Sequence, residues 1–302
     1  MLDILSRAGC FVTIIILGYV LKRKGFFKEE DFGVLSKVVL KITLPAAIVT
    51  SFAGKEIDPA LLTLSLIGLG GGILYLVFGF ILNKRQGSEQ QAFMMLNSSG
   101  YNIGNFTLPF VQSFLGPIGV ITTSLFDVGN AFICLGGAYS ISSIVKGNGK
   151  FSITKILKAL SKSVAFDCYI LMLLLNLLNI SLPSTVLSFA EIIAGANAFM
   201  AMFMIGVGFK LSGERSQFGA IAKILAVRYG VALILAILCF NLLPFELETR
   251  QALAILMFSP IASAAPAFTG DMGGDVGLSS AVNSISIVCS IVFIVICLLV
   301  LL

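Results

Sequence analysis

One apolar run of the chain, from about residue 90 to residue 115, is interrupted in its middle by Asn97-Ser98-Ser99-Gly100-Tyr101-Asn102-Ile103-Gly104-Asn105-Phe106-Thr107-Leu108-Pro109. A second run, from about 248 to 270, is interrupted in the same way by Ser259-Pro260-Ile261-Ala262-Ser263-Ala264-Ala265-Pro266. In lipid every backbone N–H and C=O needs a partner, so irregular backbone persists at membrane depth only where protein buries it or a cavity borders it. Broken spans at matching places in two halves of a chain are typical of a transporter's substrate site.

The composition of the chain is that of a membrane protein. Of the 302 residues, 58% are hydrophobic and only 12% are charged, and the mean hydropathy is +1.03. This is too apolar for an ordinary soluble domain. Because about 20 apolar residues cross a bilayer as a helix, the sequence predicts an all-α polytopic protein with ten transmembrane spans, near residues 4–21, 32–53, 60–82, 90–115, 117–145, 163–179, 183–211, 218–242, 248–270 and 276–302.

The positive charges alternate between the loops that join these spans. One side carries Lys22, Arg23, Lys24, Lys28, Lys84, Arg85, Lys146, Lys150, Lys155, Lys158, Lys162, Lys210, Arg215 and Lys223, and the other side carries Arg7, Lys55 and Arg250. By the positive-inside rule the richer side is cytoplasmic, so both termini should face outward from the cell (inner) membrane. The net charge of +5 therefore indicates solvated loops and no nucleic-acid partner, with anionic-lipid recognition as the lesser alternative.

A polar linker at residues 146–162 divides the predicted spans into five and five. An odd number of spans in each half means that the second half, residues 163–302, enters the membrane inverted relative to the first half, residues 1–145. The broken span is the fourth of each half. The sequence therefore predicts two inverted five-helix repeats, with broken spans 4 and 9 in matching places.

No residue pattern indicates an enzyme, a cofactor or a metal site. The chain has no histidine, its six cysteines fall inside predicted spans, and it lacks a phosphate-binding Gly-x-x-x-x-Gly-Lys-[Ser/Thr] loop. A membrane-embedded enzyme would need an acid pair such as Asp271 and Asp275. Turn chemistry explains these two residues better, because they flank Gly273-Gly274.

The motif Asn102 to Pro109 resembles the broken fourth helix of the auxin efflux carrier family, in which an Asn lies seven residues before a Pro. The segment from Pro260 onward is similar to that family's ninth helix, and Leu44-Pro45 fits its second. Two departures are Thr107, where the family usually has Gly, and a Pro260 to Pro266 spacing one residue longer than in plant members.

The resemblance covers nearly the whole chain and implies the fold of sodium–proton antiporters and bile-acid symporters. In that fold spans 1, 2, 6 and 7 form a scaffold, spans 3, 4, 5, 8, 9 and 10 form a transport domain, and broken spans 4 and 9 cross at the site. We expect an elevator-like or rocking movement of the transport domain against the scaffold. The resemblance also implies a homodimer built on the scaffold. Bacterial members are assigned small carboxylates such as malate or malonate.

The physical chemistry of the crossing also favours an anion. Half-helices that begin near Pro109 and Pro266 would present their positive N-terminal ends at mid-membrane. Neutral amides could then bind a carboxylate without placing a fixed charge in lipid. The predicted substrate-binding residues are Asn102, Asn105, Pro109, Pro260, Ser263 and Pro266. The alternative, that the Asn residues only cap the broken backbone, stays open.

A coupling function is predicted for acids and bases inside the spans. Asp127, with Asn130 one turn away, could take up a proton or a cation at a place apart from the substrate site. A structural ion pair between Asp127 and Arg228 is an equal alternative. A sodium site would draw on hydroxyls such as those of Ser98, Ser99, Thr107 and Ser263.

The sequence thus predicts a secondary transporter that moves a small organic anion (a carboxylate such as malate or malonate, or an auxin-like acid) across the membrane by alternating access. The alternatives are a sodium-coupled symporter of the bile-acid type and, less favoured, a membrane-embedded enzyme. The expected partners are the anion, a proton or sodium, membrane lipid, and a second copy of the chain. Small residues suggest the dimer faces, although packing within one chain would explain them too: Ala46, Ala47, Gly195, Ala196, Gly206 and Gly208.

Overall fold

The computed structural model describes residues 2–147, 149–210 and 217–302, and all regular structure in these ranges is helical. The α-helices are α1 (Leu2–Arg23), α2 (Asp31–Val38), α3 (Leu44–Phe52), α4 (Thr63–Leu82), α5 (Ser88–Ser98), α6 (Leu108–Phe132), α7 (Ala138–Lys146), α8 (Ile153–Leu160), α9 (Val164–Leu177), α10 (Ser184–Ala194), α11 (Asn197–Gly208), α12 (Phe218–Leu242), α13 (Leu247–Met257), α14 (Ala265–Asp271) and α15 (Val276–Leu301). The described residues also contain three wider, π-helical turns. Val39–Thr43 joins α2 to α3, Ile103–Thr107 leads into α6, and Ile133–Gly137 joins α6 to α7.

Seven helical runs among the described residues are long and apolar enough to cross a membrane. There are eight if α8 and α9, which meet at a bend of 77°, count as one span. These runs make the chain a multi-pass membrane protein. The expected end of the seventh span at Leu211, and Arg215 after it, lie outside the described residues.

One of the seven runs, Ser88–Lys146, is 59 residues long and is not a single straight helix. Gly116 within it has φ 60 and ψ −151, a conformation that glycine adopts without a Cβ clash. Pro117 follows, and proline favours the first turn of a new helical segment. The run is therefore kinked at the place where the sequence predicts one span to end and the next to begin.

The predicted linker at 146–162 contains a helix, α8. Its side chains Ile156 and Leu160 are buried against Ala131 of α6, whereas Lys155 and Lys158 are exposed. This apolar face holds the segment to the helices, so the linker is more ordered than a solvated loop.

Small residues bring several helices close together within the chain. A Cβ placed on Gly206 of α11 would lie 2.1 Å from the carbonyl oxygen of Ile15 in α1, and one on Gly208 would lie 2.5 Å from the ring of Phe32. Ala46 and Ala47 of α3 are buried against α10, in a cluster with Ala190 and Ala194. The assignment of these small residues to a dimer interface is therefore wrong for Ala46, Ala47, Gly206 and Gly208. Of the proposed set only Gly195 and Ala196 are exposed.

Candidate functional site

The first break is an extended segment that one asparagine side chain holds in place. Helix α5 ends at Ser98, and helical turns resume at Ile103. The Tyr101 N–H donates to Asn130 Oδ1 at 2.9 Å, and Asn130 Nδ2 donates to the Tyr101 carbonyl at 2.8 Å. Asn130, predicted as a coupling residue, therefore satisfies both backbone groups of Tyr101.

The second break is held in a similar way by α15. Asn283 Nδ2 donates to the carbonyls of Ile261 at 3.0 Å and Ala262 at 3.1 Å, and the Ile261 N–H donates to Ser286 Oγ at 3.2 Å. Sequence reasoning missed Asn283. Its position was nevertheless a signal. Like Asn130 in the first half, Asn283 lies in the apolar span that directly follows a broken span.

The two breaks are bonded to each other. The Asn102 N–H donates to the Pro260 carbonyl at 2.8 Å, and Thr107 Oγ1 donates to Ser259 Oγ at 2.7 Å. Asn105 Nδ2 donates to Ser263 Oγ at 3.1 Å. The structure thus brings together four of the six predicted substrate-binding residues: Asn102, Asn105, Pro260 and Ser263.

The two remaining prolines lie inside the helices that follow the breaks. Pro109 occupies the first turn of α6 and is buried, but the π-helical turn Ile103–Thr107 comes before it. The helical N-terminus therefore lies near Ile103, more than a turn earlier than predicted, because the Thr107 N–H already donates to the Asn102 carbonyl. Pro266 is in the first turn of α14, a helix of only 7 residues, so its end contributes little dipole.

A cavity of about 170 Å³ lies beside the crossing. The breaks contribute Asn102, Asn105 and Ser263 to its wall. Asp127 and Asn130 of α6 line the same cavity, and so does Tyr169 of α9. The prediction that Asp127 acts apart from the substrate site is therefore wrong in its geometry, because α6 packs directly behind the first break.

Asp127 is held by neutral donors. Its Oδ1 accepts from Asn130 Nδ2 at 2.7 Å, and its Oδ2 accepts from the Tyr169 hydroxyl at 3.1 Å. In the described part of the chain no base pairs with it. Sequence reasoning did not single out Tyr169, although a tyrosine in an apolar span needs a partner for its hydroxyl.

Arg228 of α12 lies at the crossing, and its side chain is fully buried. Nη1 donates to the Ser98 carbonyl at 3.0 Å and Nη2 donates to the Ser259 carbonyl at 2.9 Å. The guanidinium carbon lies 4.2 Å from the centre of the Tyr75 ring and 4.5 Å from that of Tyr101. The alternative of an Asp127–Arg228 ion pair is thus wrong, since the helix-end carbonyls satisfy the guanidinium instead.

A second cavity, of about 240 Å³, reaches the crossing from another side. Ser263 lines both cavities, and Pro266 and Asn283 border this one. Glu29 and Lys210, which also line it, form an ion pair. The hydrogen bond from Lys210 lowers the pKa of Glu29.

Three of the four hydroxyls considered for sodium donate to groups of the protein. Ser98 donates to the Met94 carbonyl at 2.7 Å and Ser99 to the Leu96 carbonyl at 3.3 Å, both within α5 and its end. Thr107 is bonded to Ser259. Only Ser263 of the four lines the cavity of about 170 Å³.

The sequence is similar to known transporters along nearly its whole length. A family described as "Membrane transport protein" matches residues 10–301. An uncharacterized transporter of Methanothermobacter thermautotrophicus is 23% identical over 292 residues, which are 93% of each chain. The uncharacterized transporter YfdV of Escherichia coli K12 is 24% identical over 219 residues, 69% of each chain, and MJ1031 of Methanocaldococcus jannaschii is 24% identical over 226 residues, 71% of each chain.

Proposed function

We propose that this chain, which belongs to the membrane transport protein family, is a secondary transporter and not an enzyme. Its cargo is a small organic anion, either a carboxylate of the malate or malonate kind or an auxin-like acid. The family match confirms the resemblance drawn from the motifs around Asn102 and Pro260. The site supports an anion, and the malate, malonate and auxin-like candidates come from the resemblance.

The observation that carries the proposal is the cavity at the crossing. Asn102, Asn105 and Ser263 offer neutral hydrogen-bonding groups to it. Neutral donors bind a carboxylate and release it again, because no fixed charge holds it there. The helical N-terminus near Ile103 adds a partial positive charge beside Asn102.

Asp127 supports coupling of the anion to a proton. An anionic substrate in this cavity would lie beside the Asp127 carboxylate, and two like charges in a small site disfavour each other. A proton taken up with the substrate removes that repulsion. A sodium-coupled symporter of the bile-acid type is the alternative.

The proposed architecture is ten spans in two inverted repeats. Helices α13 and α14 together supply one span, and the kink at Gly116 divides Ser88–Lys146 into two. Asn130 and Asn283, each on the span after a break, support the repeat. So do the mid-span irregularities in the second and seventh spans, which meet where Thr43 Oγ1 donates to Asn197 Oδ1 at 3.0 Å.

The proposed scaffold and transport domain follow the packing of the helices. Helix α1 packs along α11, and α3 packs against α9 and α10; α4 packs against α5 and α6, and α12 against α13. Side-chain hydrogen bonds between the scaffold helices and the transport-domain helices are fewer than those within the two groups. They include Tyr169 to Asp127 at 3.1 Å and Asn197 to Gln112 at 3.0 Å. Such an arrangement suits elevator-like movement of one body against the other.

The proposed setting is the cell membrane with both termini outside and the lysine-rich loops in the cytoplasm, in contact with lipid. We also propose a homodimer through the scaffold. Its support is the lipid-facing apolar surface of α10, where Phe189 is 66% exposed and Ile192 is 79% exposed.

Proteoliposomes test the function. Purified protein is reconstituted, and uptake of a panel of radiolabelled carboxylates is measured with a proton gradient, a sodium gradient and a membrane potential imposed separately. We expect uptake of at least one small carboxylate, driven by the proton gradient. Uptake that only the sodium gradient drives would favour the bile-acid type of mechanism. No uptake of any carboxylate by folded protein would contradict the proposal.

A further inference from the structure

Two half-helices, α5 and α13, end at the crossing. Their carboxyl ends face one buried cation, Arg228. We propose that the Arg228 guanidinium takes the place of a coupling cation at the crossing, so that the protein needs no sodium there. This inference rests on the proposed transport function and specifies its ion coupling.

The first argument is the kind of atom that Arg228 contacts. The carbonyl of Ser98 ends α5, and that of Ser259 lies just beyond the end of α13. The last carbonyls of a helix lack partners within it and carry about half a negative charge in total. In transporters with broken helices such carbonyls coordinate sodium or protons. Here a guanidinium N–H occupies each of them.

The second argument is that the surroundings are built for a fixed cation. The side chain is fully buried, and among the described residues no carboxylate pairs with it. An unpaired charge is expensive at membrane depth unless dipoles and π-faces replace water. The Tyr75 and Tyr101 rings supply those faces at 4.2 Å and 4.5 Å, and the Tyr75 hydroxyl also donates to the Arg228 carbonyl at 3.0 Å.

The third argument is that Arg228 leaves a mobile cation no place at the two helix-end carbonyls. The polar atom of Arg228 without a partner in the described part of the chain is Nε, which is a donor. A sodium ion at the same carbonyls would also lie within a few ångströms of a like charge. Removing the guanidinium should therefore convert the crossing into an empty cation site.

Thermal unfolding in detergent tests this without any substrate. The melting temperature is measured in NaCl, in methylguanidinium chloride and in choline chloride at equal ionic strength. We expect the wild-type protein to melt at the same temperature in NaCl and choline chloride. In choline chloride, Arg228→Ala should have a lower melting temperature than the wild-type protein. Its melting temperature should rise by about 3 °C or more when sodium or methylguanidinium replaces choline.

Arg250→Ala is the matched control. Arg250 also donates to a backbone carbonyl, that of Phe240 at 3.0 Å, and lies 5.6 Å from the centre of the Phe240 ring. It sits at the start of α13, away from the breaks, so its loss should produce no selective response to either cation.

Selective stabilisation of the wild-type protein by sodium would overturn the inference, as would an Arg228→Ala protein that responds to neither cation. Arg228→Gln, which keeps an amide donor on a shorter, uncharged side chain, guards against a variant that does not fold. Both variants are extracted in each salt, and the yield of folded protein is itself a readout. Equal yields in all salts, together with equal melting temperatures, would also count against it. Failure of carboxylate uptake leaves these outcomes unaffected, so the two proposals fail separately.

Discussion

Asn102 uses its backbone and its side chain for different purposes. The N–H is bonded to the Pro260 carbonyl and ties the two breaks together. The side-chain amide lines the cavity and has no hydrogen-bond partner among the residues that the structure describes. A side chain without a structural bond is free to bind a ligand.

We therefore expect Asn102→Ala to weaken anion binding while leaving the fold intact. Loss of one charge-assisted hydrogen bond costs about 1.5–3 kcal/mol, or roughly 10- to 100-fold in affinity. The measurement is a binding isotherm together with a melting curve. Asn241→Ala, at the exposed end of α12, should change neither. An Asn102→Ala protein of normal stability and normal affinity would exclude this side chain from the site.

Asp127 can be tested apart from the hydroxyl that binds it. Asp127→Asn should abolish pH-dependent, concentrative uptake yet leave downhill exchange, because the amide cannot exchange a proton near neutral pH, while its oxygen can still accept from Asn130 Nδ2 and its NH2 can donate to the Tyr169 hydroxyl. General loss of stability is not expected, since no base depends on Asp127 for its charge balance. Initial uptake rates across a pH series measure the effect.

Tyr169→Phe is the companion variant to Asp127→Asn. It removes the bond at 3.1 Å and keeps the carboxylate, so the pH dependence should survive. Concentrative uptake by Asp127→Asn at every pH would show that Asp127 carries no coupling proton.

At the scale of elements, α4 and α6 depend on glycines at their contact. A Cβ on Gly129 would lie 1.7 Å from the Ser65 carbonyl oxygen, and one on Gly68 would lie 2.1 Å from the Phe126 carbonyl oxygen. Both neighbours are backbone, so they cannot move aside by changing rotamer. These glycines set the distance between the two helices.

Gly129→Ala should therefore force α4 and α6 apart and destabilise the protein by about 1–3 kcal/mol, the usual cost of overpacking. The melting temperature measures this. Gly230→Ala, in α12 with no atom within 4 Å of the added Cβ, is the control and should be neutral or stabilising by up to about 1 kcal/mol. Equal melting temperatures for the two variants would contradict the close packing.

Helix positions were largely predictable from hydropathy, because each span had to bury or expose a continuous apolar surface. Residues 218–242 are predicted and found as one helix. The partners of polar side chains were not predictable in the same way. Arg228 and Asp127 both lie deep in apolar spans, and pairing opposite charges is the simplest expectation. The carbonyls that satisfy Arg228 belong to backbone whose geometry depends on α5 and α13 together, which no single segment reveals.

The residues of the candidate site could be predicted where local chemistry draws attention to them. Asn102, Asn105 and Ser263 were singled out because polar residues in a broken span need a reason to be there; the structure places them at one cavity, and their contact with substrate stays a prediction. Asn283 and Tyr169 were missed because each resembles an ordinary membrane-helix residue until its neighbour in the fold is known. Gly206 and Gly208 were assigned to the wrong surface for the same reason.

At the scale of the whole molecule, the proposed dimer rests on α10, since the small residues of α3 and α11 are already used within the chain. We expect a mass of two chains in mild detergent and in nanodiscs, measured by light scattering. Ile192→Trp should shift the protein toward the monomer because the larger ring disturbs close packing. Ile234→Trp is the control, on α12, where Ile234 is 59% exposed. A wild-type monomer in both media would argue against the dimer.

The burial of Arg228 also has a consequence for biosynthesis. An arginine near the centre of a helix costs roughly 2.5–3.5 kcal/mol during insertion, and the apolar remainder of Phe218–Leu242, with a hydropathy of 2.2, must offset it. At that moment the Ser98 carbonyl has been made, but Ser259 has not yet left the ribosome. The nascent eighth span should therefore dock first on the first half of the chain and wait for the ninth. A released chain that ends before residue 259 would leave the Arg228 guanidinium with one of its two helix-end carbonyls.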